Sequence, residues 1–353
     1  MIQRTKQVLT HMKIYREQDA TLDAVQELTI AVIGYGSQGQ AQSAMIRDSG
    51  LNVIIGVRED GESFARAQED GFTVYNIADA AQKGDIVQIL LPDQIQAKIY
   101  NSEIAPAMTA GKTLCFSHGF NISYKLINPP EDIDVIMVAP KSPGPSERQT
   151  YLEGFGVPAL VAVHHDASGM ALQKALGMAK AMHFTMAGVI DLNSFEPPRA
   201  DMSPFDLETF TDLFGEQSVL CGGVAELIQA SFETMVEKGY PPEMAYFEAS
   251  HELKLITDLI YKGGIEEMYR RVSNTAEYGG RTRGKLVVDR VIVKPIMQKM
   301  LEDCEDGTFE REWIAECDAG MPKLQEMREA EGNNLLQSTG DELRKLFVKP
   351  VRK

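Results

Sequence analysis

Cysteine is scarce in this chain. Its 353 residues include four, Cys115, Cys221, Cys304 and Cys317, with no CxxC spacing. That excludes the common zinc and disulfide frameworks and suits a reducing, cytoplasmic setting. Basic clusters are missing too. Lys and Arg number 35 against 51 Asp and Glu, a formal net charge of -16. Phosphate-backbone binding needs grouped cations, so nucleic acid is not an expected partner. No run approaches the roughly 20 apolar residues of a membrane helix. The opening MIQRTKQVLTHMKIYREQDA has no apolar signal core. No membrane association is expected, and there is no internal repeat or low-complexity segment. The composition that remains is that of a globular protein, and the length suits two domains.

Two kinds of patterning follow one another. TIAVIG at 29–34, NVIIGV at 52–57, DIVQILLP, KTLCFSHG, DIDVIMVAP at 132–140 and VPALVAV at 157–163 are short β-branched or apolar runs that read as strands. Helical segments such as AQSAMIRDSG and SFARAQEDG lie between them and stop at glycine. This alternation over 25–185 predicts an α/β domain with a doubly wound, parallel, Rossmann-like sheet. From about residue 206 the sequence is rich in Glu, Leu, Met, Ala and Lys at helical spacing. The expected division is an N-terminal dinucleotide-binding domain over 1–185, an all-α domain over 186–330 and a polar tail over 331–353.

Gly34, Gly36 and Gly39 form GxGxxG at a strand–helix junction. The first glycine permits the tight turn. The second lets backbone approach a pyrophosphate, and the third allows close helix–strand packing. The second strand runs into Val57-Arg58-Glu59-Asp60-Gly61-Glu62-Ser63, which should face the adenosine ribose. Carboxylates there accept from a ribose 2′-OH and repel a 2′-phosphate, while arginine attracts that phosphate. Three acids against one arginine lean toward NADH. The same acids would also suit a solvent-facing loop.

Two carboxylate pairs stand at i, i+4: Asp212 with Glu216, and Glu248 with Glu252. Like charges one turn apart on a helix repel. Apolar neighbours, Leu213 and Phe214 in one case and Phe247 and Leu253 in the other, raise the cost unless something compensates. Hard oxygen ligands suit Mg²⁺ or Mn²⁺, and two pairs suit two ions. Solvated helix faces with Lys or Arg alongside are the other reading. His118 and Lys141 each close a strand, where a doubly wound sheet places groups over its crevice. Ser273 lies in a polar stretch and is also a plausible helix cap.

Taken together, GYGSQG, FSHGFN, VAPKSPG, DLFGEQSVLCGG, GYPPEMAYFEASHELKLITDLIYKGG and SNTAEYG resemble the ketol-acid reductoisomerases of the short, class I type. The resemblance runs from about Thr29 to Arg328. It implies a two-step reaction in valine and isoleucine biosynthesis. An alkyl group of 2-acetolactate or 2-aceto-2-hydroxybutyrate migrates with the help of Mg²⁺. A hydride from NADH or NADPH then reduces the product to a 2,3-dihydroxy acid. By the same resemblance, Asp212 serves both Mg²⁺ ions and Glu216 one of them, while Glu248 and Glu252 serve the second ion and its waters from a partner subunit. Ser273 holds the substrate carboxylate. His118, Lys141 and Glu252 are the implied catalytic groups. Gly34, Tyr35, Gly36, Ser37, Gln38, Gly39 and Gly144 line the cofactor, with Arg58, Glu59, Asp60 and Ser63 at its adenosine end. The resemblance also implies an intertwined, knotted homodimer with a shared active site, with a dodecamer as a higher assembly. The sequence departs from the pattern at Gln40 and Gln42, where the family commonly has histidines, at KSPG in place of KGPG, and at Gly61, where NADPH users have serine. The last departure makes NADH, or dual use, the expectation. A β-hydroxyacid dehydrogenase, which needs a lysine and no metal, is the runner-up. A cofactor-sensing regulator is the non-enzyme alternative.

Overall fold

The computed structural model describes residues 12–195 and 201–347. Most of the opening segment read for a signal core lies outside them, as do the last six residues of the chain. Two compact units divide at Phe210 and Thr211.

The first unit is built on a nine-stranded sheet. Its strands are β1 Lys13–Tyr15, β2 Thr29–Ile33, β3 Asn52–Gly56, β4 Thr73–Tyr75, β5 Ile86–Ile89, β6 Thr113–Phe116, β7 Asp134–Pro140, β8 Ala159–His165 and β9 Val189–Asp191. They are ordered β1-β9-β8-β7-β6-β5-β2-β3-β4. Pairing is parallel from β4 across to β7, and between β8 and β9. The β7–β8 and β1–β9 pairs are antiparallel, so the sheet is mixed with a parallel majority. The helices of this unit are α1 Ser37–Asp48, α2 Glu62–Glu69, α3 Ile77–Lys83, α4 Asp93–Ile99, α5 Phe120–Ser123, α6 Gly144–Leu152, α7 Ala171–Ala181 and α8 Phe184–Ala187.

The strands read as continuous apolar runs because both faces are covered. In β2, Ile30 and Val32 belong to the core on one face, and Ala31 and Ile33 to the core on the other. Burying each such isoleucine contributes about 1.5–3 kcal/mol. Packing between the layers is tight. A Cβ at Gly56 would stand 2.5 Å from Ile33 Cδ1 and 2.7 Å from Ala80 Cβ. After β2 the chain adds β3 and β4 on one side, then returns to place β5 on the other. The carboxyl ends of β2 and β5 therefore flank the topological switch point, where doubly wound sheets bind ligands.

Helix α9, Pro204–Gly215, is the last of the first unit to begin. The second unit is helical, with α10 Gly222–Glu237, α11 Pro242–Tyr246, α12 Glu252–Arg271, α13 Asn274–Val287, α14 Arg290–Glu305, α15 Thr308–Asp318, α16 Pro322–Gly332 and α17 Leu335–Phe347. Its core gathers Phe232, Ala245, Tyr246 and Leu343. Residues after 330 have a polar composition, yet Leu335–Phe347 form α17, because Leu336 and Leu343 reach that core. Elsewhere the unit is thinly packed: α12 and α13 bury none of their described residues. Tyr261 is 89% exposed, Val291 83% and Leu286 74%.

Candidate active site

The turn after β2 has the geometry its glycines suggest. Gly34 has φ +104, and a Cβ there would meet Leu90 O at 2.7 Å. A Cβ on Gly39 would meet Gly34 O at 2.3 Å, so α1 lies hard against the turn. Gly36 faces open space, with nothing within 4 Å of its Cβ position. It is also the N-cap of α1, with no side-chain cap, so the first-turn N–H groups stay available to an anion. This cradle fits a dinucleotide pyrophosphate. Tyr35 contributes backbone only. Its ring is buried beside Phe72, and its hydroxyl donates to Asp70 at 2.7 Å. Burial and the Asp70 carboxylate hold that hydroxyl well above its ordinary value. Gly144 starts α6 against the same turn, since a Cβ there would stand 2.4 Å from Ser37 O.

In the loop after β3, Arg58, Glu59, Asp60 and Glu62 are exposed and Ser63 is half-buried. Asn76 donates to Glu59 at 3.4 Å. Gly61 caps α2 without a side-chain hydrogen bond, and Glu62 occupies the first helical turn. An uncapped N-terminus attracts an anion, and Glu62 there opposes one.

His118 and Lys141 meet at a residue that the sequence reading passed over, Glu208. This side chain is 1% exposed. One of its oxygens lies 2.9 Å from His118 Nδ1 and accepts from Gly119 N at 3.0 Å. The other accepts from Lys141 Nζ at 2.7 Å. Burial alone would raise the carboxyl. The charge and hydrogen bonds of His118 and Lys141 outweigh it and hold the group at about 2. An ionised carboxylate only accepts, so His118 carries hydrogen on Nδ1 and turns Nε2 away from Glu208. Gly119 makes the approach possible: a Cβ there would meet Thr209 Oγ1 at 2.3 Å and Phe205 O at 2.9 Å. The missed signal was spacing. Glu208, Asp212 and Glu216 repeat at i, i+4, i+8, and Glu208 is the buried member.

Asp212 follows Glu208 by one turn of α9. Both carboxylate pairs fall where an α-helix opens into a π-turn. Glu216 begins the π segment Glu216–Leu220, and Glu248 lies in Phe247–His251, immediately before Glu252 opens α12. Such segments are frequent at functional sites. Glu248 and Glu252 are exposed, and neither has an ion pair among the described residues. Lys254, next along the chain, pairs with Asp258 at 2.5 Å instead. Ser273 is the N-cap of α13, its hydroxyl accepting from Ala276 N at 3.2 Å.

A doubly wound sheet with a dinucleotide cradle at its switch point, followed by a carboxylate-bearing helical unit, defines a nicotinamide-dependent oxidoreductase. Comparison with known proteins narrows the class. Residues 24–188 match the family model for the acetohydroxy acid isomeroreductase NADPH-binding domain. Residues 205–349 match that for the ketol-acid reductoisomerase C-terminal domain. The chain is 53% identical to a ketol-acid reductoisomerase (NADP(+)) of Methanocaldococcus jannaschii, over 95% of this chain and 98% of the relative. It is 50% identical to a ketol-acid reductoisomerase (NAD(+)) of the uncultured archaeon GZfos26G2, over 96% and 99%. The solved structure of an NADH-preferring ketol-acid reductoisomerase from an uncultured archaeon matches with a TM-score of 0.90, at 50% identity over 96% of this chain and all of that one. The chain belongs to the ketol-acid reductoisomerase family.

Proposed function

We propose that the chain converts 2-acetolactate and 2-aceto-2-hydroxybutyrate to 2,3-dihydroxy acids with two Mg²⁺ ions and, by preference, NADH. The observation that carries this reading is the bracing of His118 and Lys141 by buried Glu208, one helical turn before Asp212. When bound, Mg²⁺ supplies Lewis acidity toward the substrate oxygens and the nicotinamide supplies the hydride.

Asp212, Glu216, Glu248 and Glu252 are an all-oxygen donor set, which fits Mg²⁺. We assign Asp212 to both ions, Glu216 to one of them, and Glu248 and Glu252 to the second. His118, Lys141 and Glu252 are the groups placed to hold or move protons. Glu208 fixes the His118 ring, leaving Nε2 to face the reacting groups. It also keeps the Lys141 ammonium in place as a donor to a developing alkoxide. Ser273 and the free N–H groups of the α13 N-terminus suit the substrate carboxylate.

The division of labour follows the chain: cofactor on residues 1–185, metals and substrate on 186–330. The backbone N–H groups of Ser37, Gln38 and Gly39 receive the pyrophosphate. Arg58, Glu59, Asp60 and Ser63 receive the adenosine ribose, with Glu59, Asp60 and Glu62 opposing a 2′-phosphate. A homodimer with a shared site is supported by the exposed apolar side chains of α12 to α14, which one chain leaves in water. The test is steady-state turnover with each acetohydroxy acid and each cofactor in Mg²⁺. A 2,3-dihydroxy acid product with a lower KM for NADH than for NADPH is expected. No turnover of either acid would overturn the reading.

A further inference from the structure

Four buried or half-buried polar side chains run in a line beneath the dinucleotide turn, and nothing in the reaction accounts for them. Glu147, on α6, is 1% exposed. Its Oε1 accepts from Gln38 Nε2 at 2.9 Å. Gln38 Oε1 accepts from Gln42 Nε2 at 2.8 Å. Gln42 Oε1 accepts from Gln88 Nε2 at 2.5 Å and from the Ser117 hydroxyl at 3.3 Å. Gln42 and Gln88 are fully buried.

The direction of this chain is determined. Gln38 Nε2 also donates to Ser142 O at 3.2 Å, and a backbone carbonyl only accepts. Gln38 must therefore turn its amide nitrogen toward α6 and its oxygen toward Gln42. That orients Gln42, which in turn orients Gln88. All three amides point their donors toward Glu147, which terminates the line as an acceptor. Burial pushes the Glu147 carboxyl up to about 7, against the Gln38 hydrogen bond. Protonated or not, it keeps an oxygen that accepts from Gln38.

The line joins the parts that must be in register for hydride transfer. Gln38 is in the first turn of α1, where the free N–H groups lie. Gln88 is on β5, across the switch point. Ser117 directly precedes His118. Glu147 is on α6, whose first residue is jammed against Ser37.

We propose that Glu147 is a positioning residue for the dinucleotide: it orients Gln38 and, through Gln42, ties the pyrophosphate turn to the strand ends that carry Gln88 and Ser117. This rests on the cofactor reading above. An acceptor is what the site requires, not a charge or a volume. Removing it leaves one N–H of the half-buried Gln38 amide unsatisfied and only the longer 3.2 Å contact to Ser142 O to hold that end of the side chain.

The experiment measures NADH and NADPH binding by calorimetry, together with cofactor KM and kcat, for the full-length enzyme, Glu147→Leu and Glu147→Gln. Glu147→Leu is expected to weaken the better cofactor at least five-fold in both Kd and KM, with kcat at saturating cofactor within two-fold. Glu147→Gln still accepts from Gln38 and is expected to stay within two-fold in Kd. Leucine binding like wild type, or glutamine losing as much as leucine, would overturn the proposal. If Glu147→Leu fails to fold, Gln42→Leu decides it by cutting the same line, with the same five-fold expectation. A wild-type enzyme that binds neither cofactor would overturn the underlying reading along with it.

Discussion

Lys141 Nζ lies 2.7 Å from Glu208 Oε1, joining the end of β7 to a helix 67 residues further along the chain. The same carboxylate holds His118 Nδ1 at 2.9 Å by its other oxygen. One buried anion thus joins two side chains that follow two neighbouring strands.

Glu208→Gln tests that arrangement. An amide has one accepting oxygen, so its NH₂ must face either Lys141 or His118, and one of the two contacts is lost. We expect kcat to fall roughly 100-fold or more, in the range that positioned acid–base groups contribute, while cofactor Kd stays near wild type. Unchanged kcat would remove Glu208 from the machinery. The sign of the pH effect follows from the carboxyl being lowered from 4.5 to about 2. The stability it contributes is present above pH 4.5 and is lost as pH falls toward 2. Any loss of activity near pH 5 would then have another origin, and Glu208→Gln should leave it in place.

Glu147 has the opposite sign. Its carboxyl is raised from 4.5 to about 7 by burial. Its favourable contribution is complete below pH 4.5 and is lost as pH rises through 7. The gap corresponds to about 3 kcal/mol at most. Thermal unfolding of Glu147→Gln and wild type should coincide at pH 4.5, and the variant should be the more stable at pH 8. A stability difference that does not vary with pH would contradict this.

The contrast between these two residues shows how much was legible in the sequence. The strands and the glycine turn, with the packing roles of Gly34 and Gly39, were readable, because continuous apolar runs and local sterics dictate them. Asp212, Glu216, Glu248 and Glu252 stood out by repeat spacing, although not the π-turns that follow or enclose them. Glu208 was hidden because its partners are 67 and 90 residues away and only tertiary packing unites them. Gln42 stood out only as a departure from the family's histidine and Gln88 not at all, since only the folded layers reveal that their amides align. The helix α17 was masked by polar composition. The antiparallel β7–β8 pair was missed because strand alternation carries no direction.

The proposed NADH preference places cofactor choice at the loop after β3. Gly61→Ser together with Glu62→Ser adds a hydroxyl at the uncapped α2 terminus and removes a carboxylate from its first turn. The NADPH KM is expected to fall at least five-fold, with a smaller change for NADH. Kinetics with both cofactors decide it, and an unaltered NADPH KM would place the discrimination elsewhere.

The proposed shared-site dimer makes a prediction about mass. Light scattering should give an even multiple of the 39.1 kDa chain mass. Tyr261→Asp, on the exposed face of α12, should lower that mass or the activity at nanomolar enzyme. A wild-type mass of one chain would contradict the shared-site dimer.

The most direct measurement follows NADH oxidation with 2-acetolactate before and after chelation, in wild type and in Asp212→Asn. The expected result is turnover that EDTA abolishes and Mg²⁺ restores, and that the variant loses by at least roughly 100-fold, the scale of a lost electrostatic stabiliser. Turnover that survives chelation, or that Asp212→Asn leaves intact, would contradict a metal-dependent isomerisation and reduction at these carboxylates.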